Sequence, residues 1–341
     1  MSIDLLGAAI PAQFKTQHTA FKTLNVALFG CGVVGTGVWQ ILEAKRSELV
    51  RRFKTNVVVR GICVKDLAKQ RDASIPAGLI TDDPEQLLSN DSIDLAIELI
   101  GGRYEALEVI ERSLAHRKHV ITANKLVLAH ELPRLRKQAS RKGVNLFYSA
   151  SVCGSVPVLR AIDELRIGDE ITSVKGIVNG STNFILTLMS EQGVSYEDAC
   201  KEARIRGFLE ADPTLDVSGQ DAAQKLSVLT YHAFGKHLRP DDIQREGIEA
   251  IDIESINAAK QDGKVIKLIA EARLNESGEV VARVSPQLID RAHLFAHTRD
   301  EFNALEISTL HAGPQLLYGK GAGSLPTASA VMSDLIELLK E

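Results

Sequence analysis

The sequence predicts an α/β protein in which a doubly wound parallel sheet is followed by a second, α+β unit. Three observations carry this. Short apolar runs alternate with amphipathic helical patterns over residues 24–150, the first run ends in the turn Gly30-Cys31-Gly32-Val33-Val34-Gly35, and beyond about residue 151 the strands become more widely spaced. Alternation of strands and helices implies right-handed crossovers and a parallel sheet. A length of 341 residues suits two domains, each able to bury its own core.

The elements follow in order. "LNVALF" (24–29) is an apolar run suited to a buried parallel strand, and the pattern after its glycine turn predicts a helix to about Val50. Further strands are expected at "NVVVRGICV" (56–64), "IDLAIELI" (93–100), "HVITA" (119–123) and "VNLFYSA" (144–150), with helices such as "EALEVIERSLAH" between them. In the second unit "ITSVKGIVN" (171–179) and "VVARVSPQLI" (280–289) read as strands, and "STNFILTLMSEQ" and "SYEDACKEARIRG" as helices. The tail "GKGAGSLPTASAVMSDLIELLK" is a glycine loop feeding a last helix.

Composition narrows the function classes. With 45% hydrophobic and 25% charged residues and a formal charge of -4, the chain gives no reason to expect a nucleic-acid or anionic-membrane partner. Four cysteines without C-x-x-C spacing read as free thiols of a reducing compartment, and the nine histidines show no zinc spacing. The opening "MSIDLLGAAIPAQF" carries Asp4 where a signal peptide is basic and is broken by Pro11, so a cytoplasmic protein is expected.

In G-x-G-x-x-G, glycines make a tight turn, admit a pyrophosphate against the backbone and let the helix pack on the strand; the helix N-terminus receives the phosphate charge. Residues Gly30, Cys31, Gly32, Val33, Val34 and Gly35 are therefore candidate contacts for a dinucleotide on a Rossmann-type sheet. At the end of the second strand an acid suits NAD and a base suits NADP. Val64-Lys65-Asp66, with Lys69 and Arg71 behind, favours NADP through Lys65 and leaves NAD open through Asp66.

The stretch "GFLEADPTLDVSGQDAAQK" (207–225) admits two readings. Ser218-x-x-Asp221 matches a capping box, and Asp221 with Lys225 is an i, i+4 pair of the kind that decorates exposed helices. Yet Ala222, Leu226, Leu229 and Ala233 form one stripe, with Lys225 at its border and Asp221 a step further round, so Lys225 is expected to be half-buried. A lysine so placed beside carboxylates has a tuned pKa and exchanges protons with a substrate hydroxyl. Four carboxylates are also hard ligands for a divalent metal, but their spacing fits no EF-hand and the lysine opposes a dication.

Seven ordered segments resemble the homoserine dehydrogenase family: the glycine loop, "ELIGG" (98–102), "TANKLVLA" (122–129), "ASVCGSVPV" (150–158), "NGSTNFIL" (179–186), the acidic stretch ending at Lys225, and "GKGAGSLPTASAVMSDL". The resemblance begins near residue 24 and resembles the short form, stopping at Glu341 without the C-terminal ACT domain of many bacterial members, so threonine feedback through such a domain is not expected. It implies reversible oxidation of L-homoserine to L-aspartate 4-semialdehyde with NADP or NAD, and a homodimer or dimer of dimers. It also implies an N-terminal extension (1–22), a dinucleotide-binding domain (23–150) completed by 310–341, and a substrate-binding and dimerisation domain (151–309).

By position, the resemblance makes Lys225 the catalytic lysine, assisted by Lys125 and oriented by Asp221. Glu210, Asp216 and Asp221 hold homoserine, beside Asn179, Gly180, Ser181 and Thr182 where strand meets active site; Gly101, Lys125 and Gly321 join the glycine loop in contacting the dinucleotide. Family members also bind a monovalent cation such as Na+ through backbone carbonyls, here those of Val152, Gly154 and Val156, but where many carry a glutamate this chain has Ser149. "GSTN" superficially matches the turn of a phosphorylating semialdehyde dehydrogenase, whose nucleophile must be a thiolate; Gly180 and Ser181 supply none. Cys153 lies in a Ser/Gly turn without a neighbouring histidine and reads as structural. A non-catalytic nicotinamide sensor is the reading from another class, against which Lys125, Asp221 and Lys225 argue.

Overall fold

The computed structural model describes residues 21–341; the signal-peptide reading and nearly all of the expected extension fall outside them. The first unit runs β1 (Lys22–Phe29), α1 (Val33–Phe53), β2 (Thr55–Cys63), β3 (Ile80–Thr81), α2 (Pro84–Leu88), β4 (Leu95–Glu98), α3 (Tyr104–Ala115), β5 (His119–Thr122), α4 (Lys125–Lys142) and β6 (Leu146–Phe147). Its strands are all parallel in the order β3-β2-β1-β4-β5-β6. This is the dinucleotide-binding order, in which the sequence of strands reverses between β1 and β4 and leaves a crevice beyond their carboxyl ends. The central strands Val26–Phe29 and Leu95–Glu98 are buried on both faces, as their unbroken apolar runs require.

The second unit continues with α5 (Val158–Gly168), β7 (Ile171–Ile177), α6 (Gly180–Gln192), α7 (Tyr196–Ile205), α8 (Thr214–Val217), α9 (Gln220–Phe234), β8 (Gln244–Arg245), α10 (Ile253–Gln261), β9 (Lys264–Leu274), β10 (Val280–Asp290), β11 (Phe302–Thr309) and β12 (Gly313–Lys320). Its sheet has the order β12-β11-β7-β9-β10-β8 and is antiparallel except where β8 joins β10. The chain then returns as α11 (Ser324–Leu338), which packs along α1. Gly37 makes the crossing close: a Cβ there would lie 2.9 Å from Ser324 Oγ and 3.1 Å from Ala328 Cβ.

Three expectations need correction. The strand expected over 144–150 shrinks to Leu146–Phe147, because Ser149–Ser151 coil into a 3₁₀ turn. The return to the first unit falls after Lys320 rather than at 310, since β12 completes the second sheet against β11. No capping box starts α9: Ser218 closes the short α8, and the residue before α9 is Gly219 at φ 78, without a side-chain cap.

β7 delivers Val178 and Asn179 to the mouth of the crevice, and it needs Gly176 to lie against β11. A Cβ at Gly176 would run into the Ala304 carbonyl and come within 2.9 Å of Leu305 Cα. Gly176→Ala is expected to cost about 1–3 kcal/mol through overpacking, read as a lower urea midpoint at unchanged slope.

Candidate active site

Two helices that start at the crevice bring the chemistry together. α4 begins where Asn124 caps it, its side chain accepting the Val127 N–H at 3.1 Å, and so presents Lys125 at its first position. α9 enters from the left-handed Gly219 and carries Asp221 and Lys225 on one side, one turn apart. Asp221 lies between the two lysines: Lys225 Nζ is 2.7 Å from Oδ2 and Lys125 Nζ is 3.2 Å from Oδ1.

The rest of the polar shell is hydrogen-bonded except for Asn303 Oδ1, which is buried without a partner. Asn179 caps α6 by accepting the Thr182 N–H at 2.8 Å, and its amide donates to Asp216 Oδ1 at 2.6 Å and Asp221 Oδ2 at 2.8 Å. Lys225 also donates to the Val178 carbonyl at 2.7 Å, which accepts from Asn303 Nδ2 at 3.1 Å as well. Burial opposes the charge on Asp221, but Lys225 and then Lys125 overcome it and hold the carboxyl well below the usual range. Burial likewise works against the Lys225 ammonium, and Asp221 outweighs it, so the pKa of Lys225 is raised. Asp216 is pushed up, first by burial and further by Asp221, against the pull of Asn179.

Several expectations change here. The Lys225 side chain is only 13% exposed, less than the half-buried lysine read from the stripe, because α9 is buried on almost every side, including Gln224, Ser227, Thr230 and His232. The i, i+4 ion pair exists but is not a surface pair. Thr182 is fully buried with its hydroxyl on Asn179, so it supports the cap. Asp212 spends its carboxylate on the N–H and hydroxyl of Thr214, shaping the turn around Pro213. Glu210 is exposed at the rim, and Gly180 admits the Glu301 carbonyl, 2.6 Å from where a Cβ would sit.

The glycine turn fits a dinucleotide. Gly30 has φ 102 and a Cβ there would meet the Leu99 carbonyl at 2.6 Å, while a Cβ on Gly35 would strike the Gly30 carbonyl. At Gly32 and Gly101, by contrast, a Cβ would meet nothing within 4 Å, leaving open backbone of the kind a pyrophosphate approaches. Val33 is exposed at the first turn of α1, and its carbonyl accepts from Ser324 Oγ at 2.6 Å, tying α11 to the loop. Cys31 is buried beside Thr36. Gly321 lacks a Cβ because the Asn303 side chain occupies that space.

Cys153 is buried at φ 57, and burial pushes its thiol up to about 11, the opposite of an activated nucleophile. The cation donors are a poor set. Val156 already accepts from the Val158 N–H at 2.8 Å, position 149 brings a hydroxyl where a carboxylate would be needed, and the nearby Asp334 carboxylate accepts the Ser149 N–H at 2.9 Å. A monovalent cation there would rest on the backbone carbonyls of Val152, Gly154 and Val156 without a carboxylate at position 149. Among the described residues no group of three or more His, Cys, Asp or Glu side chains could hold a metal. A cleft of about 640 Å³ between Tyr148, Asp163, His232 and Asp334 shares no residue with the lysine pair.

Reasoning from sequence missed Val178, Asn303 and Ser227. Only Asn303 had a local signal: it opens an apolar strand where a hydrophobic residue would be expected, and its amide is 1% exposed.

A parallel sheet with a dinucleotide-binding glycine turn, joined to a Lys–Asp–Lys group, is the arrangement of an NAD(P)-dependent oxidoreductase. Comparison with known proteins agrees and goes further. Residues 30–149 match the family model "Homoserine dehydrogenase, NAD binding domain" and residues 157–336 the model "Homoserine dehydrogenase". Homoserine dehydrogenases of Bacillus subtilis (37% identical, 94% of this chain, 73% of theirs) and Corynebacterium glutamicum (40%, 92% and 72%) are similar along most of their length. The solved structure of the Thiobacillus denitrificans homoserine dehydrogenase superimposes with a TM-score of 0.89 at 37% identity, covering 94% of this chain and 74% of that one. A hyperthermophilic archaeal homoserine dehydrogenase in complex with NADPH gives 0.77 at 26% identity, covering 94% and 98%. The chain belongs to the homoserine dehydrogenase family.

Asp221→Ala would leave two ammonium groups facing each other without a counter-charge. A loss of about 3–5 kcal/mol is expected, as for a buried pair that loses one partner, measurable by denaturant titration. The pH dependence follows from the two shifts. The lowered Asp221 contributes stability above its ordinary value of 3.8, lost as pH falls through the folded value. The raised Lys225 contributes below 10.5, lost as pH rises through its folded value. Asp221→Asn should therefore weaken both limbs of the stability profile.

Proposed function

We propose that Lys225 is the acid/base group of this chain's reaction, the reversible oxidation of L-homoserine to L-aspartate 4-semialdehyde on the route to threonine and methionine. The observation that carries it is the Asp221 carboxylate shared by Lys225 and Lys125 at the mouth of the crevice. A nicotinamide dinucleotide bound along Gly30–Gly35 and Gly101 supplies or accepts the hydride. In the reducing direction the Lys225 ammonium donates a proton to the developing alkoxide; in the oxidising direction the neutral amine removes the carbinol proton. Two of its three N–H donors are held by Val178 and Asp221, which leaves the third for the substrate oxygen. Lys125, about a third exposed, steadies charge on that oxygen. Asp216 and the rim residue Glu210 receive the substrate's α-ammonium, and Asn179 fixes Asp216 and Asp221 for that purpose.

NADP is the cofactor we assign. Asp66, the acid available for a ribose 2'-hydroxyl, accepts the Ala68 N–H at 2.8 Å and so closes its own turn. Lys65 stands exposed at the same strand end, and Arg71 folds onto the backbone of Asp66 and Lys69. Four free thiols, Cys31, Cys63, Cys153 and Cys200, support a cytoplasmic setting, and among the described residues no helix is long and apolar enough to cross a membrane. A homodimer or dimer of dimers built on the second unit accords with family membership.

Purified protein with L-homoserine should generate reduced nicotinamide, and no turnover with either NADP or NAD at alkaline pH would overturn this reading. Lys225→Ala is expected to lower the rate by about 10²- to 10⁴-fold; a loss under about threefold would remove Lys225 from the chemistry. Because Asp221 holds Lys225 protonated, oxidation should accelerate with pH towards the raised lysine value, and Asp221→Asn should move that limb to lower pH. Lys65→Ala should raise KM for NADP by about tenfold and leave KM for NAD nearly unchanged.

A further inference from the structure

The carboxyl of Glu98 is fully buried at the carboxyl end of β4, in register with Phe29 of β1 on one side and Thr122 of β5 on the other. Its oxygens are not idle: Oε1 accepts the Ile100 N–H at 2.6 Å and Oε2 accepts the Thr122 hydroxyl. Thr122 Oγ1 in turn accepts the Asn124 N–H at 3.0 Å, and the Asn124 amide donates to the carbonyls of Ile100 (3.0 Å) and Gly102 (2.7 Å). This network joins the loop bearing Gly101 to the residue that caps the Lys125 helix. As a carboxylate Glu98 accepts at both oxygens, and when protonated it can instead donate its O–H to Thr122 Oγ1.

Among the described residues no cation pairs with that carboxyl. From β1 the group faces Phe29 and Gly30, from β5 Thr122, and from the 99–103 loop the Ile100 N–H. The charged residues nearest in sequence are engaged elsewhere, Arg103 with Glu131 at 2.9 Å and Lys125 with Asp221 at 3.2 Å. Burial therefore dominates and raises the carboxyl to about 7, against the pull of Thr122, Ile100 and Asn124.

The position gives the missing charge a source. β1 to β3 form the half of the sheet that takes the adenosine side of a dinucleotide, so the nicotinamide side falls over β4 to β6, where Lys125 and Lys225 also lie. The nicotinamide ring is cationic when oxidised and neutral when reduced. We infer that Glu98 determines specificity for the oxidation state of the cofactor, its unpaired carboxylate favouring the oxidised, cationic nicotinamide over the reduced one. Hydride transfer to the ring removes the cation, and the carboxylate then takes a proton from solvent, so the preference is present when Glu98 is ionised and absent when it is protonated. This rests on the nicotinamide reading of the crevice given above.

The test is equilibrium binding of NADP and NADPH from pH 6 to pH 9, by quenching of protein fluorescence and by competition, with no turnover involved. The 2'-phosphate is common to both forms and cancels in the ratio of their dissociation constants. Kd for NADPH divided by Kd for NADP is expected to rise by about fivefold or more as pH increases through 7, and Glu98→Gln should hold the ratio at its low-pH value throughout. Should Glu98→Gln fail to fold, Thr122→Val removes one donor to the carboxylate and should move the midpoint to higher pH. A ratio independent of pH in the unmodified protein, or an unshifted midpoint in Thr122→Val, would overturn the inference. Failure of both nicotinamide forms to bind would overturn the dehydrogenase reading itself.

Discussion

The active site depends on one carboxylate that belongs to two ion pairs. Asp221 meets Lys225 on its own helix and Lys125 from the other unit, and without it neither lysine has an anion within contact distance. Bringing two ammonium groups to one place is costly in a medium of low dielectric constant, and the shared carboxylate makes it tolerable. The arrangement also sets the chemistry. A lysine buried alone would lose its proton near neutral pH; this one is held cationic by Asp221.

Holding Lys125 and Lys225 in register requires α4 and α9 to be fixed to each other, and a helix defect does this. Pro133 lies inside α4 and has no N–H for the Ala129 carbonyl one turn earlier. The Ser227 hydroxyl of α9 lies 3.2 Å from that carbonyl, a tertiary contact where an intrahelical bond is absent, while it bonds more closely to the Leu238 carbonyl. Lys125 lies one turn before Ala129, and Lys225 two residues before Ser227. A proline that reads as a helix breaker therefore frees an acceptor for the neighbouring active-site helix.

Much of this was legible in the sequence, and what escaped did so for identifiable reasons. The first sheet announced itself because each buried strand is a short apolar run ending at a turn, and Gly30, Gly32 and Gly35 divide their tasks as the motif requires. The acidic stretch could be located but not oriented: Asp221 and Lys125 are separated by 96 residues (221 minus 125), and no local pattern pairs them. Burial of Lys225 was underestimated because Gln224, Ser227, Thr230 and His232 look like a solvent face, whereas Ser227 and His232 are buried on tertiary partners, Ala129 and Tyr148. β9 was missed because "KVIKLIAEARL" suits a helix as well as a strand; Lys267 within it is buried on Asn183, Thr187 and the Thr298 carbonyl. Glu98 was in view within "ELIGG", but its lack of a counter-charge is a fact of tertiary structure.

The two units also meet in a way that bears on how the site is assembled. The chain passes between them twice, at 148–158 and at 320–324, and the two crossings are bonded to each other. Ser155 donates its N–H and its hydroxyl to the Lys320 carbonyl, and a Cβ on Gly154 would lie 2.6 Å from the carbonyl of Gly321. Asn303 then stacks on Gly321 while donating to Val178, the carbonyl that Lys225 also uses. Asn303, Val178 and Lys225 all belong to the second unit, and through Gly321 they are tied to this double crossing.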